Sequence, residues 1–336
     1  MDLPKTFILN NGKAIPSIGL GTFHGSDTSS NVKDAVKLGL QLGYRHIDCA
    51  DAYGNEKEVG EAIKESGIPR HEIFVTSKLA QTWHEPSDVE RALDISLKNL
   101  QIDYVDLHLM HFPHAYRPGE KNQTIRHPSG NGKPVIDYDL SRRYSETWLA
   151  MERLVGAGKA RSIGLSNFNI LKMKRILEVA SITPAVNQVE IHPYFPQEEL
   201  FEFSKRHGIL TIAHQPLGGR PVGVVRGHPD EPFPTEDPTA SASVKEIAAS
   251  CEISPAQVCL SWLVQRGIPA VPKSAQYAHL QENLRIKMLR QEDIEAIDRL
   301  SSEHGLVRFL DPSQHLGFDI FDEENDQPLA SKAPWD

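Results

Sequence analysis

The chain has 336 residues, 39% hydrophobic and 24% charged, the mix of a globular protein rather than a disordered one. Lys and Arg number 36 against 45 Asp and Glu, so the formal charge is −9, the wrong sign for a protein that lives on nucleic-acid phosphates or anionic lipid. No run approaches the ~20 apolar residues that a bilayer span needs, and the opening MDLPKTFILNNGK lacks a signal-peptide core. Three cysteines (Cys49, Cys251, Cys259), none in a CxxC pattern, are too few for a disulfide scaffold or a cysteine zinc site. Asn122-Gln123-Thr124 matches a glycosylation acceptor, but no secretory signal accompanies it. The expectation is a cytoplasmic globular protein, with no nucleic-acid or membrane partner.

In chain order, short apolar runs predict strands at Ser17–Leu20, Arg45–Asp48, Ile73–Lys78, Val105–Met110, Ala160–Leu165, Ala185–Val189, Leu210–His214 and Ile268–Val271. Between them lie helical patterns: Val89, Leu93, Leu97 and Leu100 share one face, Trp148, Met151 and Val155 another, and Ile170, Met173, Ile176 and Leu177 a third. Strands alternating with helices indicate βαβ units and a parallel sheet. Eight strand candidates with no linker near mid-chain fit an α/β fold of the closed (β/α)8 barrel type better than two doubly wound halves. The prediction is one barrel domain over 1–336. Irregular stretches Ala115–Tyr138 and Gly218–Pro238 follow the fourth and seventh strands, and such long loops tend to carry function. The irregular tail 305–336 is placed over the same carboxyl-terminal face.

Three features invite chemistry. Gly19-Leu20-Gly21-Thr22-Phe23-His24 misses the GxGxxG fingerprint at its sixth position, so it reads as a tight turn after the first strand, not as a dinucleotide loop. His108, His111 and His114 are three apart, a spacing that on a strand alternates faces and argues against one shared metal ion. The third feature carries further. Asp48, Lys78 and His111 stand at the ends of successive strands, with Tyr53 in the loop after Asp48, and in a barrel those ends converge. That set suits carbonyl reduction by hydride, where charge grows on oxygen and a proton donor must wait there. A phenol is a sluggish acid at neutral pH; a neighbouring ammonium lowers its pKa, and a carboxylate keeps a buried lysine charged. A neutral imidazole orients the carbonyl.

Gly43-Tyr44-Arg45-His46-Ile47-Asp48 with Tyr53, Glu56 and Gly60, then Ile163-Gly164-Leu165-Ser166-Asn167-Phe168, then Val271-Pro272-Lys273-Ser274 with Glu282-Asn283, resemble the three signatures of the aldo-keto reductase superfamily, of the aldose and xylose reductase kind. The resemblance runs from Gly19 to Asn283. It implies a (β/α)8 barrel that reduces a small-molecule carbonyl without a metal, using NADPH with NADH as the alternative, as a monomer or homodimer. It also implies a catalytic tetrad of Tyr53 (acid), Lys78, Asp48 and His111. The cofactor residues it implies are Thr22, Ser166, Asn167, Gln188, His214, Leu217, Gly218, Lys273, Ser274, His279, Glu282 and Asn283. Two departures stand out: His214 replaces the ring, usually tyrosine, that stacks on nicotinamide, and His279 replaces an arginine near the adenosine 2′-phosphate. The implied substrate wall is Phe23, Ala80, Trp83 and Phe112. His111-Phe112-Pro113 is similar to fungal sugar reductases. Two rival readings remain, a non-catalytic binding or regulatory protein on the same barrel and a metal-dependent barrel hydrolase.

Overall fold

The computed structural model describes residues 2–23, 32–219, 236–322 and 333–336. Most of the predicted loop Gly218–Pro238 and residues 323–332 of the tail lie outside these. Seven parallel strands stand side by side in sequence order: β1 (Leu20–Gly21), β2 (His46–Asp48), β3 (Phe74–Leu79), β4 (Leu107–Met110), β5 (Ile163–Ser166), β6 (Val186–Glu190) and β7 (Leu210–His214). Residues 270–273 close the circle. Ala270 bridges in parallel to both Ala213 and Ile18, and Lys273 bridges to Gly21. Gly19 donates to the Ala270 carbonyl at 2.9 Å and Gly21 to that of Pro272 at 3.0 Å. The eighth predicted strand, Ile268–Val271, is therefore present only as single bridges. Pro269 and Pro272 carry no N–H, so a continuous ladder cannot form there. The result is a (β/α)8 barrel.

The glycine cluster overturns one expectation. Gly21 lies within β1, and neither it nor Gly19 adopts a left-handed φ, so among the described residues neither glycine serves a tight turn. Both are glycine because the barrel wall closes against them. A Cβ on Gly19 would sit 2.4 Å from the His46 ring, and one on Gly21 would sit 2.9 Å from the Val271 carbonyl oxygen. The first strand accordingly starts later than its apolar run Ser17–Leu20 suggested.

Inside the barrel, Phe74, Leu107, Leu109, Val186, Ile212 and Val271 form a layer that Leu9 and Ile15, from an antiparallel hairpin (Thr6–Ile8 with Ala14–Pro16), cover from below. The main core lies between strands and helices. After helices α1 (Val32–Leu42) and α2 (Glu56–Ser66), Val89, Leu93, Leu97 and Leu100 all point into it from α3 (Val89–Leu100), as do Trp148 and Met151 from the helix Tyr144–Gly156. No single helix among the described residues is long and apolar enough to cross a membrane.

The stretch Ala115–Tyr138 is less irregular than its sequence suggested. Its ends pair antiparallel, Ala115–Tyr116 against Ile136–Asp137. Onto this hairpin the tail packs Leu316, Phe318 and Ile320, with Phe112 and Tyr116 at the edge of the cluster. Further along, the Tyr138 hydroxyl donates to the Asp336 carboxylate and accepts from the Ala333 N–H at 2.6 Å. The tail thus covers part of the carboxyl-terminal face, where β4 ends.

Candidate active site

Lys78, the penultimate residue of β3, is 1% exposed. A lysine so buried must be paired or lose its charge. Its Nζ donates to Asp48 Oδ1, to the Cys49 carbonyl at 3.0 Å and to the Tyr53 hydroxyl at 3.3 Å. Asp48, the last residue of β2, gives its other oxygen to Gln188 Nε2 of β6 at 2.6 Å. Burial alone would push the Lys78 ammonium down. The Asp48 carboxylate and the Tyr53 oxygen outweigh it and hold the pKa above the ordinary lysine value.

Tyr53 ends a single 3-10 turn (Asp51–Tyr53) that stops at Gly54, whose φ of 67° is left-handed. The turn projects the phenol back over Lys78. The His111 ring stands edge-on to it at 5.6 Å, and Phe23 lies 4.9 Å away on another side. Burial is the largest influence on the phenol and raises its pKa; the Lys78 charge and hydrogen bond pull it down, but the net shift is upward. Lysine alone would lower it, and the sequence reading expected that sign. The enclosure of the site reverses it. His111, which follows β4, is 8% exposed, and burial with the nearby Lys78 charge pushes its pKa well below the usual imidazole value, so its ring is neutral.

A second set of polar groups adjoins this one. Ser166 ends β5 and donates to the Gln188 carbonyl at 2.9 Å, while Asn167, held at a left-handed φ of 62°, donates to the His111 carbonyl at 3.0 Å and to Ser166 Oγ at 3.2 Å. Asn167 Oδ1 in turn meets His214 Nε2, at the end of β7, at 2.9 Å. Thr22 binds the Asp48 carbonyl through both N–H and hydroxyl at 3.0 Å. All five expected residues therefore form one network with the tetrad. Gln188 Oε1 makes no hydrogen bond among the described residues, and Ser166 and Asn167 supply hydroxyl and amide groups beside it. This donor and acceptor set fits a carboxamide such as that of nicotinamide. Burial pushes His214 down to about 4, so the ring is neutral and can face a pyridine ring without charge repulsion.

The remaining expected cofactor residues line a different stretch. Lys273 pairs beside Gly21, next to Thr22, and is exposed, as is His279. Ser274 and Asn283 are buried, and Glu282 is half-buried on the short helix Tyr277–Asn283. Gly218 and Leu217 follow β7, and a Cβ on Gly218 would come within 2.9 Å of the Phe309 ring. Of the expected wall, Phe23 flanks Tyr53 and Phe112 lies 5.1 Å from the His111 ring, whereas Trp83 spends its indole N–H on Asp51 at 3.1 Å. Ala80 is buried at the start of the turn carrying Trp83. Of the three histidines, His108 is buried on the opposite face of β4 from Leu107 and Leu109, which fill the barrel, and among the described residues no group of three or more His, Cys, Asp or Glu could hold a metal ion.

Glu190 was not anticipated. It is 2% exposed on β6, two residues after Gln188, and accepts from the backbone N–H groups of Phe309 (2.5 Å) and Leu310 (2.7 Å) and faces His192 Nε2 at 2.9 Å. It ties the start of the tail to the strand that bears Gln188. The only sequence signal was its place two residues from Gln188, on the same face of the strand.

A parallel barrel with a lysine-bound tyrosine at the strand ends belongs to the class of (β/α)8 enzymes that work at the carboxyl face. Residues 17–302 match the model of the aldo/keto reductase family. Aldo-keto reductase family 1 member A1 of Gallus gallus is 44% identical over 283 residues, 83% of this chain and 82% of that protein. The glycerol 2-dehydrogenase (NADP(+)) of Hypocrea jecorina is 37% identical over 326 residues, covering 95% and 99%. The solved aldose reductase of Schistosoma japonicum superposes with a TM-score of 0.82 at 35% identity, over 97% of this chain and 100% of that one. The chain belongs to the aldo/keto reductase family, and this membership supports carbonyl reduction by an oxidoreductase.

Proposed function

We propose that the protein is a cytoplasmic, NADPH-dependent reductase that converts an aldehyde or ketone, an open-chain aldose among them, to the alcohol. The observation that carries this is the Lys78 ammonium bridging the Asp48 carboxylate and the Tyr53 hydroxyl beside the neutral His111 ring. Ser166, Asn167 and Gln188 would hold a reduced nicotinamide, which would supply the hydride. His111 donates a hydrogen bond that orients the carbonyl oxygen, and Tyr53 gives its proton to that oxygen as negative charge builds on it. Lys78 stabilises the phenolate left behind, and Asp48 keeps Lys78 charged. Tyr53 recovers its proton from solvent after the alcohol leaves. The names of the two relatives above, a glycerol 2-dehydrogenase with NADP(+) and an aldose reductase, support a polyol–carbonyl pair and a phosphorylated cofactor. Tyr53→Phe should lower kcat for an aromatic test aldehyde by about 10²–10⁴ while NADPH still binds. Full turnover in that variant sinks the assignment, and tight NADPH binding by the wild type with no turnover of any aldehyde would favour a binding protein instead.

Cofactor choice rests on the exposed Lys273, the Ser274 hydroxyl and the histidine at 279. Lysine gives a 2′-phosphate one permanent charge; histidine lacks the fixed charge and the bidentate fork of arginine. NADPH is therefore favoured over NADH, by less than with arginine. His279→Arg should tighten NADPH and leave NADH nearly unchanged in a fluorescence titration. Equal affinity of the wild type for the two cofactors removes Lys273 from the 2′-phosphate.

A further inference from the structure

The opposite end of the barrel carries a pocket of its own. It lies among the residues that precede β2 to β5 and the N-terminal hairpin, with a volume of about 420 Å³. That is within the usual ligand-site range. It is the far end from Tyr53, since its strand residues stand at the amino-terminal ends. We infer that this pocket binds a small organic phosphate, with Lys13 and Arg161 as its anion clamp and Arg45 behind them.

Charge is the first argument. On a chain of net charge −9, three permanent cations, Lys13, Arg45 and Arg161, converge on one concavity. Two carboxylates also line it. Asp106 is spent, because it accepts from Arg70 Nη2 at 2.7 Å and from the Val75 N–H at 2.9 Å. That leaves Glu72, which makes no ion pair among the described residues. The lining thus sets three cations against one carboxylate that is not already paired.

Preorganisation is the second. Asn11 staples the hairpin to the loop before β5: its Oδ1 accepts from the Lys13 N–H at 3.2 Å, and its Nδ2 donates to the Arg161 carbonyl at 3.1 Å and to Ser162 Oγ at 2.8 Å. The backbones of Lys13 and Arg161, distant in sequence, are thereby tied to one side chain. The Arg161 guanidinium is ordered further by packing at 4.1 Å from the centre of the Tyr104 ring. Among the described residues Arg45 uses only Nη1 on protein groups, the carbonyls of Leu40 (3.2 Å) and Tyr44 (2.8 Å), which leaves the rest of its fork available. Holding three like charges about a single carboxylate is unfavourable, and a dianion bound between them relieves it.

The ligand class follows. Arginine forks with a lysine point charge match phosphate oxygens. A cavity of this size holds much more than a bare phosphate ion, and Ala14, Pro16 and Ile73 give it an apolar side for an organic body. A purely structural role is filled by Arg70, which caps the carbonyls of Ile73 and Tyr104. Among the described residues the Lys13 side chain makes no contact of that kind.

Calorimetric titration of the full chain with phenyl phosphate and, separately, inorganic phosphate tests this. Phenyl phosphate should bind saturably, at least tenfold tighter than inorganic phosphate. Lys13→Gln should weaken it about tenfold, and Lys13→Gln with Arg161→Gln about a hundredfold, as expected for losing charged hydrogen bonds. Lys13→Gln removes no packing, so it serves even if the double variant fails to fold. Unchanged affinity in Lys13→Gln, or no saturable binding by the wild type, overturns the site. Inorganic phosphate binding as tightly as the ester overturns the organic-phosphate assignment.

Discussion

Asp48 holds a buried ammonium and a buried amide at once, one on each carboxylate oxygen. Removing the charge therefore strands Lys78 in a site where it is 1% exposed. Breaking one partner of a buried pair typically costs about 3–5 kcal/mol. Asp48→Asn should lose that much in urea unfolding at pH 7. The pH dependence has a definite sign. Lys78 is raised above 10.5 in the folded protein, so its contribution to stability is complete below that pH and is lost as the pH rises through the folded value. In the variant the Asp48 charge no longer opposes burial, and the Tyr53 oxygen is left as the main group holding the ammonium, so Lys78 should release its proton at a lower pH and the alkaline limb of the activity profile should move toward neutrality. A stability loss under 1 kcal/mol would show that the pair is not the counter-charge it looks to be.

Among the elements, the contact between helix α2 (Glu56–Ser66) and α3 is where two rules conflict. Gly60 sits mid-helix, and alanine there gains about 1 kcal/mol in helix propensity. A Cβ at that position, however, would lie 2.4 Å from the Leu100 carbonyl oxygen, which is backbone at the end of α3 and cannot swing aside. Overpacking of this kind costs about 1–3 kcal/mol. The clash wins, so Gly60→Ala should destabilise the protein, read as a lower urea midpoint at unchanged slope. A raised midpoint would mean that the two helices can part without penalty.

For the whole molecule, the dominant liability is acid. His46, His84 and His108 are almost fully buried, and burial pushes them from 6.5 down to about 4, 3 and 4. The folded chain keeps them neutral, while the unfolded chain protonates them below 6.5. Their folded pKa values are depressed, so stability is complete above pH 6.5 and is lost as the pH falls toward 4. At pH 5 each costs ~2 kcal/mol, and the three together approach the whole stability of an ordinary domain. Urea midpoints should therefore fall steeply between pH 7 and pH 5. A flat profile across that window would show that these rings are protonated in the folded state.

The alternation of strand and helix was legible in the residues themselves, because an apolar run or a 3.6-residue periodicity is a local property. Leu210–His214 is a strand to the residue, and the buried face of α3 is the one its spacing marked. The placement of Asp48, Lys78 and His111 at strand ends was legible for the same reason. What lay beyond the sequence arises from contacts between segments far apart in it. The two N-terminal glycines answer to a histidine and a carbonyl across the barrel wall, not to a turn. Glu190 has meaning only because Phe309 and Leu310, 119 and 120 residues later, bring their N–H groups to it. The sign of the Tyr53 shift was likewise a tertiary matter. Which residues neighbour the phenol is set by the motif, but how much water the fold removes from around it, and so whether burial outweighs the Lys78 charge, is settled only when the chain has closed.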